Sequence, residues 1–301
     1  MNWASATLLS TIIMGWVSLI DSHLLSQRMP GLRTFLIPTG VIHLFSGLVI
    51  FFSYPLPEGL GVLPVLAVLI SSAIRTVGLI IMLEAFKREE VSRVIPIVHT
   101  SPVFVAIMAA PLLGETLSYM QWLAIIIVVA GAIIVTAEKS PSASTGQLSK
   151  PFLLLFVSSL LLAIADIGRK YALGYMSFWN GFSLSEITTS VLFLLFALRP
   201  HTLRQIRDMK HRNASLGLLT FSESLALVAI MLSFWAVKNG PVSLVVTIMG
   251  SRPVFVAVFS FVLGFISPRF LLAKTVGRRV LVLRFLATAL IVGGISIIYL
   301  T

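Results

Sequence analysis

The sequence predicts an all-α integral membrane protein, with ten transmembrane helices forming two inverted five-helix repeats. Three observations carry that expectation. Apolar runs of about twenty residues, the length that crosses a bilayer, recur along a chain of 301 residues. Hydrophobic residues make up 57% of the chain and charged residues 11%, with a mean hydropathy of +1.02; soluble domains carry about 25% charged residues. The second observation is a repeat. Pro102-Val103-Phe104-Val105-Ala106 returns as Pro253-Val254-Phe255-Val256-Ala257, and Ala85, Lys87, Val91, Ser92 and Ile97 return at the same displacement as Ala236, Lys238, Val242, Ser243 and Ile248. The third is arithmetic: five spans per copy is odd, so the second copy enters the membrane upside down.

Each span follows from its own stretch. The first, Trp3 to Leu25, has no Lys or Arg before it and no small-residue cleavage site after it, so it reads as a retained helix rather than a signal peptide. The second, Phe35 to Tyr54, stops at Pro55-Leu56-Pro57, where proline removes donors and forces an extended turn. Gly61 to Glu84, Val91 to Leu113 and Tyr119 to Ala137 complete the first unit, residues 1–137. Residues 138–150, rich in Ser, Gly and Pro, are the linker. The second unit, residues 151–301, holds Pro151 to Tyr171, Phe178 to Leu198, Ala214 to Val237, Val242 to Ile266 and Val280 to Leu300.

Charge sets the orientation. With the amino terminus outside, the inner loops carry seventeen Lys and Arg and the outer loops three. Basic loops stay on the cytoplasmic side, so the count favours both termini outside, in a bacterial cytoplasmic (inner) membrane. The same rule accounts for the net charge of +11 without nucleic acid as a partner. Cysteine is absent, which excludes disulfides, cysteine nucleophiles and thiolate metal sites. No metal or cofactor is expected.

The repeated residues form a pattern. The first half supplies Ala85, Lys87, Val91-Ser92, Pro102-Val103-Phe104, Gly114-Glu115, Gln121-Trp122 and Gly131, and the second supplies Ala236, Lys238, Pro253-Val254-Phe255, Gly264 and Gly293-Gly294. On these residues the whole chain resembles the drug/metabolite transporter superfamily, in its ten-helix EamA-type branch. That resemblance implies efflux of small organic solutes such as amino acids, related metabolites or drugs. Phe265 stands where the first half has Glu115, and the loop after it is longer and strongly basic. The two halves are not equivalent there.

Candidate site residues are polar groups that lipid penalises. An ionisable side chain at a helix centre costs about 2.5–3.5 kcal/mol and normally faces a cavity or a partner. Arg75, Glu223, Arg252, His43 and His99 lie deep in their spans, and Asp166 and Glu186 less deep. Spans three and eight are repeat mates, as are four and nine, so Arg75, Glu223, His99 and Arg252 are placed to approach one axis. Two readings compete for each. Arg75 and Glu223 form either a structural ion pair or an anion site and a proton or cation site. Asp166 has Arg169 and Lys170 one turn on, the spacing of a local pair. His43 and His99 either bond backbone or bind a ligand. Pro96, Pro102 and Pro253 are expected to kink their helices and free carbonyls toward a cavity. Trp16 is deep enough to stack on a substrate ring; an aromatic belt explains the terminal tryptophans.

These features point to a secondary transporter whose halves rock about a midplane cavity by alternating access. Its partners are a small-molecule substrate and the lipid bilayer, with protons as the coupling ion through Glu223 or Asp166; monomer and homodimer both stay open. A flippase for an anionic lipid-linked intermediate is the alternative, using Arg75, Arg252 and the basic loops, and it requires an apolar lateral opening. A membrane enzyme fits less well: paired-aspartate metal motifs, His-Glu-x-x-His and Gly-x-Ser-x-Gly are all missing.

Overall fold

The computed structural model describes residues 2–88, 101–136, 150–266 and 278–300, and every regular element among them is helical. Helix α1 (Trp3–His23) opens where the Asn2 side chain accepts from the Ala4 N–H at 2.8 Å, and it closes in a wider turn over Leu24–Arg28. Then come α2 (Leu32–Ser53), α3 (Val62–Arg88), α4 (Ser101–Leu113) and α5 (Tyr119–Thr136). Beyond the linker lie α6 (Lys150–Leu173), α7 (Phe178–Ala197) and a short α8 (Pro200–Arg207). They are followed by α9 (Arg212–Asn239), α10 (Val242–Met249), α11 (Arg252–Ile266) and α12 (Arg278–Leu300). Six helical stretches among the described residues are long and apolar enough to cross a membrane: Trp3–Arg28, Leu32–Ser53, Val62–Ile81, Phe178–Ala197, Arg212–Asn239 and Val242–Ser260. Large apolar side chains such as Phe45, Phe52 and Leu195 point outward, while alanines and serines fill the interior. Lipid-embedded bundles bury small residues in this way.

Two features differ from the sequence expectation. The span expected over Val242 to Ile266 breaks at Gly250-Ser251 into α10 and α11. The cause is Pro253: it has no N–H to offer, and its ring crowds the carbonyl four residues back, at Met249, the last residue of α10. Pro253 therefore starts a new helix instead of kinking a continuous one. Ser251 closes the break by donating its hydroxyl to the Ile248 carbonyl at 2.6 Å. The second difference is α8, whose basic residues Arg204 and Arg207 fall in its last turn. Pro96 and His99 lie outside the described residues.

Helix pairing is antiparallel throughout the main contacts. In α2 and α7, Gly40 sits beside Ser190 and Leu194, and Gly47 beside Glu186 and Ile187. In α5 and α12, a methyl group at Gly131 would come within 2.6 Å of Ile291 Cγ1, and one at Gly294 within 2.6 Å of Val128 Cγ2. Only glycine lets these two helices approach so closely. Ser158 in α6 donates to the Gly78 carbonyl in α3 at 2.8 Å, and Ser10 in α1 donates to the Ala229 carbonyl in α9 at 2.7 Å.

Helix ends are tied across the bundle. Gly114, with φ of 68°, turns the chain after α4. Glu115 then accepts from the N–H groups of Val242 (2.6 Å) and Ser243 (3.3 Å) and from the Ser243 hydroxyl (2.7 Å). A carboxylate on free N–H groups at a helix start is favoured by both hydrogen bonding and the helix dipole. At the opposite helix ends, Lys170 donates to the carbonyls of Val237 and Gly240, both at 2.7 Å, while Lys238 donates to those of Leu173 (2.8 Å) and Met176 (2.7 Å). Each lysine caps the other's helix.

Candidate functional site

The ionisable side chains of the helix centres gather into two clusters. Helical periodicity puts Thr39 and His43 on one face of α2. His43 sits halfway along that helix and is buried. Its Nδ1 is 2.5 Å from Glu186 Oε2 on α7, and its Nε2 is 2.9 Å from Glu223 Oε2 on α9. Thr39 donates to the other Glu223 oxygen at 2.7 Å. Next to Glu223, the Ser222 hydroxyl donates to Asp21 Oδ1 on α1 at 2.8 Å. Glu186 and Glu223 are buried, and Asp21 is partly buried. One imidazole thus bridges two carboxylates, with a third carboxylate alongside.

The second cluster is richer in base. Arg75, at the centre of α3, reaches Asp166 Oδ1 on α6 at 3.1 Å. Arg169, one turn further along α6, donates to the same oxygen at 2.8 Å and to the Ser233 hydroxyl at 3.3 Å. Its guanidinium also lies 5.0 Å from the centre of the Phe234 ring. Arg169 and Asp166 are buried, whereas the Arg75 side chain stays 37% accessible. Arg252, the first residue of α11, lies within electrostatic range of Asp21 and Arg75.

Several expectations change. Arg75 and Glu223 do not pair with each other: Arg75 belongs to Asp166 and Glu223 to His43. The local pair on α6 forms with Arg169 alone, because Lys170 is used on backbone carbonyls. Glu186 is central rather than peripheral. Trp16 stacks on Phe259, with ring centres 4.4 Å apart, and takes no part in either cluster. It lines an apolar cleft of about 480 Å³ between α1, α9 and α11, together with Ile20, Phe221, Leu225 and Leu263. A wider cup of about 760 Å³ lies beyond the end of α1, with Arg28, Arg204, Lys210, His201, His211 and Asp208 in its lining. Neither cavity is lined by the central charges. Pro102 is buried and packs toward Gly250 at the break between α10 and α11.

Asp21 and Arg169 were missed as central groups. Asp21 carries one readable signal, since it is the first acidic residue of the chain and sits inside an apolar run. Arg169 carries none, because a basic residue near a span end reads as interfacial.

Residues 1–137 match the model of the EamA-like transporter family. Through this first part of the chain the protein is similar to the EamA-like transporters. A solved crystal structure superposes on 100% of this chain and 98% of its own length, with a TM-score of 0.68 and 18% sequence identity. That likeness concerns the fold alone. No curated protein matches the chain. The match over residues 1–137 supports a membrane transporter of the drug/metabolite type. In this bundle His43 pairs with Glu186 and Glu223, and Asp166 with Arg75 and Arg169, as burial in lipid favours.

Proposed function

We propose that this protein is a secondary transporter that exports a small organic solute, an amino acid, related metabolite or drug, by alternating access across the inner membrane. Ten spans form two inverted five-helix halves, residues 1–137 and 151–301, with both termini outside. One observation carries the proposal: the central charge pairs join the two halves. His43 with Glu186 and Glu223, and Arg75 with Asp166, each take one partner from residues before the linker and one from residues after it. Rocking one half against the other must part these pairs, and a solute with matching charges replaces them. Charges of both signs suit a zwitterion.

The helix pairing supports the inverted arrangement. The contact of α3 with α6 has a counterpart in α9 with α1, and that of α4 with α6 in α10 and α11 with α1. The repeat mates α2 and α7 run antiparallel, as do α5 and α12. An axis along the membrane normal would make mates parallel; an axis in the membrane plane makes them antiparallel.

Solute counterflow in proteoliposomes, with amino acids, polyamines, nucleosides and cationic drugs, tests the assignment. Wild type is expected to exchange at least one of these. Glu223→Gln is expected to weaken exchange and to change its dependence on a pH gradient. Unchanged gradient dependence in both Glu223→Gln and Asp166→Asn would remove proton coupling through these residues.

The apolar cleft beside Trp16 supports a second reading. It is an apolar groove of the kind a flippase for an anionic lipid-linked intermediate needs, and one of its walls, α11, contributes Leu263 to the lining while Arg252 lies at that helix's other end. Filling the cleft with Leu225→Trp separates the two. A flippase loses activity, while a carrier of water-soluble solutes retains it.

A further inference from the structure

We infer that Glu186, His43 and Glu223 form a single exchange site in which His43 carries the coupling proton and the two glutamates receive the ammonium group of the solute when that proton leaves. The inference deepens the transporter reading and rests on it for the identity of the ligand, though not for the proton.

Proton counting leads there. Both ring nitrogens of His43 lie within hydrogen-bond distance of a carboxylate oxygen, at 2.5 and 2.9 Å. Two hydrogen bonds need two protons shared among the ring and the two acids. Whether the ring is imidazolium between two carboxylates or neutral beside one carboxylic acid, the count is the same and the net charge is −1. Removing one proton leaves a ring nitrogen lone pair against a carboxylate, and that contact must open. The group then carries −2 in a setting with no water-like screening, which a cation corrects.

The surroundings select the sign of the ligand. Facing His43 are Glu186 from α7, Glu223 from α9 and, at longer range, Asp21 from α1. Of the nearby guanidiniums, Arg75 and Arg169 hold Asp166, and Arg252 lies within electrostatic range of Arg75 and Asp21. Four central carboxylates stand against three guanidiniums, so an imidazolium at His43 makes the described interior neutral. A monovalent organic cation that replaces the His43 proton keeps it neutral. The proton passes from the ring to water on the side where the site is open, and the ammonium takes over both glutamates. No bond other than N–H is broken. Asp166, held by two arginines, lacks the free capacity to do the same.

The test uses the purified full-length protein in detergent. Protons released per chain are counted between pH 5 and 9 for wild type, His43→Gln, Glu186→Gln and Glu223→Gln. Wild type is expected to release about one proton more than His43→Gln. Glu186→Gln and Glu223→Gln are expected to shift the pH of that release, while Glu115→Gln leaves it in place. Equal release by wild type and His43→Gln overturns the inference. Tetramethylammonium and tetraphenylphosphonium, which have no proton to give, are then added at constant pH. Release of about one proton per cation bound, absent in His43→Gln, supports the glutamate pair as the cation site. Binding without release, or no binding of either ion, overturns that assignment. In proteoliposomes, exchange whose gradient dependence survives His43→Gln sinks the inference and spares the transporter. Normal proton release with no solute exchanged by wild type does the opposite.

Discussion

The two central clusters are built from the same ingredients and solve the burial of charge in different ways. Around Asp166, two guanidiniums close on one carboxylate; a guanidinium is the side-chain base least ready to give up its proton. Around His43, two carboxylates close on one imidazole, whose charge depends on pH. The first cluster is fixed and partly open, since Arg75 remains 37% accessible. The second is sealed, and its charge is adjustable. A membrane interior tolerates both because each charge has a partner; only the second changes its state at low cost.

The largest difference is expected on removing the shared acid. Asp166→Ala leaves Arg169 buried beside Arg75 with no counter-charge, and it should cost about 3–5 kcal/mol. Expression yield and detergent thermal unfolding would show this as a severe loss. His43→Ala should cost less, about 1–3 kcal/mol. The two glutamates it strands can share a proton, so part of the loss should return on acidification. Thermal unfolding measured across pH distinguishes the clusters: recovery at low pH for His43→Ala, none for Asp166→Ala. At the edge of the bundle, Glu115→Ala removes three hydrogen bonds from the start of α10 and should cost about 1–2 kcal/mol, in the range of a lost helix cap. Arg75→Gln should have the smallest effect on stability, under about 1 kcal/mol, because the side chain is half-solvated and Arg169 keeps Asp166 paired. Its effect on solute exchange should be a loss of tenfold or more, which counterflow measures.

Much of this architecture was legible in the chain. Long apolar runs marked the six stretches that are long and apolar enough to span among the described residues, since a bilayer leaves a helix few ways to end, and Pro55 and Gly61 mark such ends. The break between Met249 and Arg252 was harder to read, because Val242 to Ile266 is apolar throughout and Pro253 fits either a kink or a restart. Helix α8 is too short and polar to register beside spanning helices. In the site, the types of residue were visible and their partners were not. Arg75 and Glu223 are central by position, yet which acid meets which base depends on helix rotation. A sequence with charges on spans one, two, three, six, seven, eight and nine does not specify that rotation. His43 was recognisable as an ionisable group in lipid; its place between Glu186 and Glu223 required the packing of α2 against α7 and α9.

The central claim, that the interface between the two halves must open for transport, can be tested with a bond across it. Ser72 in α3 donates to Ser185 in α7, with the two hydroxyl oxygens 2.8 Å apart. The chain has no cysteine of its own. A Ser72→Cys, Ser185→Cys double variant therefore places a single disulfide between the halves. Oxidation is predicted to stop solute counterflow in proteoliposomes and reduction to restore it; exchange at the same rate with the disulfide closed would contradict the account.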